Sequence, residues 1–340
     1  MIVKRKILLH EMSVMDERPP WFVWVILVLA LFAVSSAGAV FRTMTDIPPI
    51  LKAAWRLQAT TIVLIPGFLY QWKTCEDEVK SWILDRRQLI FLGLSGVFLW
   101  LHFATWVWSL DHTSLTHSLL FVNSHPLVVV AVTYLLGKHL SRLEILGAIV
   151  GFLGAVIALQ AVRGTGEVTL VGDLAAFLGG VFVVGYLMLG RKLRREGMPL
   201  HLYALPVTAV AAILLTLSSL VLESTSLGMA TANNATFGWL DTTWLLPVAY
   251  LALGPGYVGH TGNNAVLRWL PALLISVTLV LEPVIGALIG WAIGVEAVPE
   301  LWTWIGLPVM LSGMVLVIVG LSQRDMEGGE DAEELHIANQ

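Results

Sequence analysis

The chain has 340 residues, 57% of them apolar and only 13% charged, with a formal net charge of −4 and a mean hydropathy of +0.79. A soluble globular domain is excluded, because it needs far more polar surface to face water. The single cysteine, Cys75, excludes an intramolecular disulfide and a thiolate metal cluster.

The apolar residues fall in continuous runs of roughly 18 to 25, the length an α-helix needs to cross ~30 Å of hydrocarbon. A membrane β-barrel would instead alternate polar and apolar residues over short segments. In chain order, residues 1–20 form an N-terminal segment containing Lys4, Arg5, Lys6 and Arg18. The predicted spans then cover residues 21–40, 51–70, 89–110, 113–136 and 143–161, followed by 170–189, 202–222, 244–267, 271–295 and 301–321. Ser35-Ser36-Ala37 resembles a signal-cleavage site, but the run before it is long and its flank carries Glu11, Asp16 and Glu17. A retained first helix is therefore expected. The second span carries Lys52, Arg56 and Gln58, and the eighth is interrupted by Gly254-Pro255-Gly256 and by Asn263-Asn264. Trp21, Trp72, Trp108, Trp244, Trp269 and Trp302 stand at span ends, where amphipathic rings prefer the headgroup layer. Residues 323–340 are acidic and Gly-interrupted, which predicts a disordered tail.

Positive charge orients the predicted spans. With the N-terminus in the cytoplasm, sixteen of the twenty basic residues fall inside, among them Lys73, Lys80, Arg86, Arg87, Arg191, Lys192, Arg194 and Arg195. Arg42, Lys52 and Arg163 fall outside, and Arg56 falls within the membrane. The external loop 223–243 has no Lys or Arg. An even number of crossings keeps the bias unbroken and puts both termini in the cytoplasm. These dispersed topogenic clusters need no nucleic-acid partner. Asn234-Ala235-Thr236 matches a glycosylation sequon in the external loop.

The chain also resembles itself. "HPLVVVAVTYLLGKHLSRLEILGAIVGFLGAVIAL" from His125 aligns with "EPVIGALIGWAIGVEAVPELWTWIGLPVMLSGMVLVI" from Glu282. Pro126 matches Pro283 and Gly137 matches Gly294 at an offset of 157; Gly147 matches Gly306 and Gly154 matches Gly313 at 159. Five helices per half make the two halves enter the membrane in opposite directions, a plan common among secondary transporters, with the substrate site near the midplane.

The stretch "SLDHTSLTHSLLFVNSHPLVVVAVTYLLG" (109–137) is similar to a region of the EamA-like drug/metabolite transporters. "GDLAAFLGGVFVVGYLMLGRKL" (172–193) resembles the opening helix of that family's second repeat, and "LEPVIGALIGWAIGVE" (281–296) its last two helices. The resemblance spans residues 21–323. It implies an all-α polytopic membrane protein of ten transmembrane helices in two inverted five-helix repeats, 21–161 and 162–322. The halves differ where His125 faces Glu282 and His139 faces Glu296.

Polar groups at membrane depth need a partner, a wet cavity or a function. Glu282 lies mid-span before Pro283, which leaves the Leu279 carbonyl without its helical donor. It is the proton-coupling candidate; the alternative is a structural acid bonded to a neighbouring helix. Arg56 either snorkels outward with Lys52 or faces a cavity and attracts a carboxylate, a phosphate or Glu282. His102 and Trp106 share a face of the third span with Ser95, Leu99 and Ser109; Tyr250, Tyr257, His260 and Asn264 share a face of the eighth. Asn123 and His125 lie in the fourth, beside Pro126. These ten residues are the substrate-cavity candidates.

No P-loop indicates an ATP-driven pump, no Gly-x-Ser-x-Gly is present, and no recognised spacing forms a metal site. Neither a catalytic residue nor a cofactor is expected. The expected function is secondary export of a small metabolite by alternating access. The rivals are an intramembrane lipid-modifying enzyme using His102, His260 and Glu282, and a non-transporting receptor or scaffold. The expected partners are the bilayer (the plasma membrane in a prokaryote), a small-molecule substrate, a coupling proton and, in an oligomer, a second copy of the chain.

Overall fold

The computed structural model describes residues 19–113, 115–160, 169–229, 233–294 and 301–338. The N-terminal basic cluster, Arg163 and Glu296 lie outside the described residues. The first half contains α1 (Trp21–Ser35), α2 (Ala37–Thr43), α3 (Pro49–Thr74), α4 (Asp77–Ile83), α5 (Arg86–Ser109), α6 (Leu115–Val122), α7 (His125–Leu135) and α8 (Arg142–Leu159). The second contains α9 (Leu170–Arg195), α10 (Leu200–Leu222), strands β1 (Ser226–Met229) and β2 (Ala235–Phe237), α11 (Thr242–Leu251), a π-helical stretch (Ala252–Thr261), α12 (Gly262–Val266), α13 (Ala272–Leu279), α14 (Glu282–Ala292) and α15 (Leu301–Ala338).

The protein is a helical, polytopic membrane protein. Six of its described helical stretches are long and apolar enough to cross a bilayer: Trp21–Phe41, Arg86–Ser109, Leu170–Arg195, Leu200–Leu222, Ala272–Ala292 and Leu301–Gln323. The other predicted spans are helical too, but polar or interrupted. Charged and amide side chains lower the apolarity of α3, α6 and α7 are separated at Asn123-Ser124, and α8 opens with Arg142 and Glu144. The predicted eighth span is divided among α11, the π stretch and α12. Along α1, Val23, Leu27, Ala30 and Val34 are buried while Val25, Val28, Leu29 and Phe32 are exposed. A helix apolar on both faces and buried on one suits a bundle edge in lipid.

The breaks recur along the chain. Every boundary of α6 and α7 recurs 157 residues later in α13 and α14, and α8 and α15 begin 159 residues apart. Gly137 and Gly294 follow α7 and α14 at φ +68° and +76°, the left-handed region that glycine adopts at a helix C-terminus. The closest helix pairing is α8 with α15. A Cβ on Gly147 would stand 2.6 Å from the Gly313 carbonyl oxygen, and one on Gly306 2.5 Å from that of Gly154. Further along the bundle, α5 packs on α9 as the π stretch packs on α1, α7 on α9 as α14 on α1, and α10 on both α3 and α5.

The loop after α10 clasps the start of α3. The Glu223 carboxylate accepts from Ile50 N at 2.7 Å and Leu51 N at 2.9 Å, satisfying donors at the N-terminus of α3. Trp55 Nε1 donates to the Ala235 carbonyl at 3.0 Å, and Trp239 Nε1 to Gln58 Oε1 at 2.8 Å. Glu223→Ala is expected to lower stability by about 0.5–2 kcal/mol, the usual cost of a lost helix cap. A thermal-shift measurement in detergent checks this; an unchanged midpoint would show that the clasp contributes nothing. In the sequon, Asn234 Nδ2 donates to the Ser224 carbonyl, and Thr236 is buried against β1. At the other end of the chain, α15 continues through the acidic stretch 325–334 where composition predicts disorder. Its Met, Ala, Glu and Leu residues are strong helix formers.

Candidate functional site

The site forms where helices break. In α7 and α14, Pro126 and Pro283 take the second position, where a missing N–H costs little. The sequence predicts a bend here; the structure has a complete interruption, bridged by tight turns such as Leu281 N to the Thr278 carbonyl at 3.1 Å. His125 and Glu282 thus become the first residues of two half-helices. Their side chains meet at a cavity of about 50 Å³ lined by Arg56, His102, Trp106, Asn123, His125, His260, Asn263 and Glu282, with Val34, Ala37, Val122, Val183 and Leu279. Such a volume holds roughly three to five waters.

Arg56 is 1% exposed, which corrects the snorkelling alternative. Its guanidinium carbon lies 4.9 Å from the Phe103 ring centroid and 5.9 Å from that of Phe41. Lys52 is buried as well. The loop after α10 holds the start of α3 through Glu223, Ala235 and Trp239, and Phe41 and Phe103 flank Arg56. Arg56 and Glu282 line the same cavity, so a carboxyl group stands available to the buried cation as a counter-charge. Glu282 itself is only partly buried.

The histidines are oriented by neighbours. His102 Nδ1 donates to the Gly179 carbonyl at 2.9 Å, and its ring stacks on Trp106 at 5.7 Å and 15°. His125 Nδ1 lies 2.5 Å from Ser276 Oγ. His260 stands 6.5 Å from His102 and 6.2 Å from Tyr186 between ring centroids. Arg56 Nε, Trp106 Nε1 and Asn263 Oδ1 are buried without hydrogen-bond partners, an open inventory of donors and an acceptor.

Seven sequence candidates therefore share one cavity, and three do not. Tyr250 is largely exposed and donates to Ser36 Oγ at 2.9 Å. Tyr257 pairs with His201 Nε2 at 3.1 Å. Asn264 Nδ2 donates to the Tyr186 hydroxyl at 2.6 Å, away from the cavity wall. The cause is the π stretch. Its i→i+5 bonding fits more residues into each turn than an α-helix, so α-helical spacing groups the wrong side chains. Asn263 faces the cavity in place of Asn264. Gly254-Pro255-Gly256 was the available signal that regular spacing fails here. Ser276, the partner of His125, has no signal in the sequence. Among the described residues no cluster of His, Cys, Asp or Glu forms a metal site.

Residues 20–160 match the EamA-like transporter family. An uncharacterized transporter, YyaM of Bacillus subtilis (strain 168), is 23% identical over 269 residues, covering 76% of this chain and 82% of that protein. One solved crystal structure, described only as that of a protein, superposes with a TM-score of 0.69 at 20% identity. The superposition covers 90% of this chain and 99% of the other, a likeness of fold. The match of residues 20–160 and the distant likeness to a transporter both point toward the drug/metabolite transporter superfamily.

Proposed function

We propose that the protein is a secondary transporter that exports a small metabolite by alternating access through the cavity between two inverted five-helix repeats. One observation carries the reading: polar side chains from both halves converge on one cavity at matched helix breaks. The repeat plan is supported by the 157-residue recurrence of the breaks and by the reciprocal crossing of α8 and α15. There Gly147 meets Gly313 while their repeat equivalents, Gly306 and Gly154, meet in turn. The packing partners support it too, since the pairing of α5 with α9 becomes that of the π stretch with α1 when the halves are exchanged.

The cavity measures about 50 Å³ and draws its lining from both halves. Release to either side requires the halves to rock about the site. Protonation of Glu282 couples that motion to the proton gradient. Positive-inside bias supports cytoplasmic termini, and tags at the two ends should be protected or cleaved together in oriented vesicles.

Proteoliposomes carrying the purified protein test the function. Flux of at least one small polar metabolite above protein-free liposomes is expected. Flux unchanged across a broad metabolite panel would remove the transport reading.

A further inference from the structure

The cavity holds one fixed cation, Arg56, and one carboxylate that can take up a proton, Glu282. Two further features describe what it lacks. Arg56 Nε and Trp106 Nε1 are buried donors without acceptors, and Asn263 Oδ1 is a buried acceptor without a donor. Two bare donors, one of them on the fixed cation itself, suit an oxyanion. The bare Asn263 amide oxygen suits a hydroxyl, whose O–H it satisfies. The volume, about 50 Å³, suits a ligand of a few non-hydrogen atoms.

Resting on the transport reading, we propose that this site carries a small 2-hydroxy carboxylate, whose anion replaces Glu282 as counter-ion of Arg56, together with one proton held on Glu282. Empty, the site pairs the Arg56 cation with the Glu282 anion. Loaded, it contains the Arg56 cation, the substrate anion and a neutral Glu282 carboxyl. No bond forms or breaks beyond the O–H made when Glu282 takes a proton from water on one side and lost when it returns the proton on the other. Both forms are neutral, which matters because an uncompensated charge at membrane depth is expensive. The carrier therefore moves when empty or when holding both proton and anion, and stalls with one alone.

Other titratable groups facing Glu282 across the cavity are His102 on α5, His125 on α7 and His260 on the π stretch. From α1, α2, α6, α9 and α13 the wall receives Val34, Ala37, Val122, Val183 and Leu279, and α8, which also packs on α14, contributes none of the lining. Among the lining residues Glu282 is thus the carboxylate that can exchange roles with a substrate anion.

The test uses the full chain in proteoliposomes with radiolabelled lactate outside and a trapped pH-sensitive dye. Lactate is expected to enter with acidification of the lumen, one proton per anion and no dependence on membrane potential. Glu282→Gln is expected to lower net lactate flux by on the order of a hundredfold, because its empty form strands the Arg56 charge. The same variant should still exchange labelled for unlabelled lactate, since its loaded form is neutral. Asn263→Ala should reduce any preference for lactate over propionate, by about tenfold for one lost hydrogen bond, and it keeps the proposal testable should Glu282→Gln fail to fold. Lactate entry without protons would overturn the proposal, as would transport of alanine with lactate excluded. The second result would leave the transport reading standing, whereas liposomes that pass no solute would remove both.

Discussion

Arg56→Met is expected to destabilise the protein by about 1–3 kcal/mol, because it removes the cation that shares the cavity with the partly buried Glu282 carboxylate. Arg56 itself is 1% exposed, packed between Phe41 and Phe103. Replacing both groups has a different outcome. A buried ion pair exchanged for apolar side chains of similar size is often neutral or stabilising, so Arg56→Met with Glu282→Met should recover most of the lost stability. It should not recover transport, since the charges that select and couple the substrate are gone. Thermal unfolding in detergent, read beside flux, measures the cycle. Additive losses in the double variant would mean that the two charges do not stabilise each other.

Gly313→Leu is expected to have the largest effect outside the cavity. Gly147 and Gly313 let the backbones of α8 and α15 approach until a Cβ on Gly147 would lie 2.6 Å from the Gly313 carbonyl oxygen. Overpacking a rigid contact costs about 1–3 kcal/mol, and here the obstructing atoms are backbone, which cannot swing aside as a side chain can. Among membrane helices, close approach through small residues is itself a principal source of association. The variant should be degraded or aggregate when Gly38→Leu, at a glycine with open space around it, does not. Equal yields of folded protein from the two variants would contradict the packing account.

Much of the architecture is legible in the sequence for identifiable reasons. Pro126 and Pro283 mark the breaks because proline lacks an N–H, and Gly137 and Gly294 mark the ends of α7 and α14 because their backbones are left-handed. Those same residues reveal the recurrence at 157. Glu282 stands out because a carboxylate at membrane depth is costly. What stays hidden depends on tertiary context. Nothing in the spacing of α3 announces that Phe41 and Phe103, from two other helices, enclose Arg56, which therefore reads as a residue able to snorkel. The phase of the eighth segment is lost in the π stretch, which exchanges Asn264 for Asn263 at the cavity and turns Tyr250 and Tyr257 elsewhere.

Asn263 is also the most direct probe of a cavity that opens in turn to both faces of the bilayer. A cysteine placed there in a Cys75→Ala background can be challenged with a membrane-impermeant methanethiosulfonate from either side of oriented vesicles. Modification from both sides is predicted, with reversal of the solute and proton gradients shifting the rate from one face to the other. A cysteine reached from only one face under every gradient, or from neither, would contradict alternating access through this site.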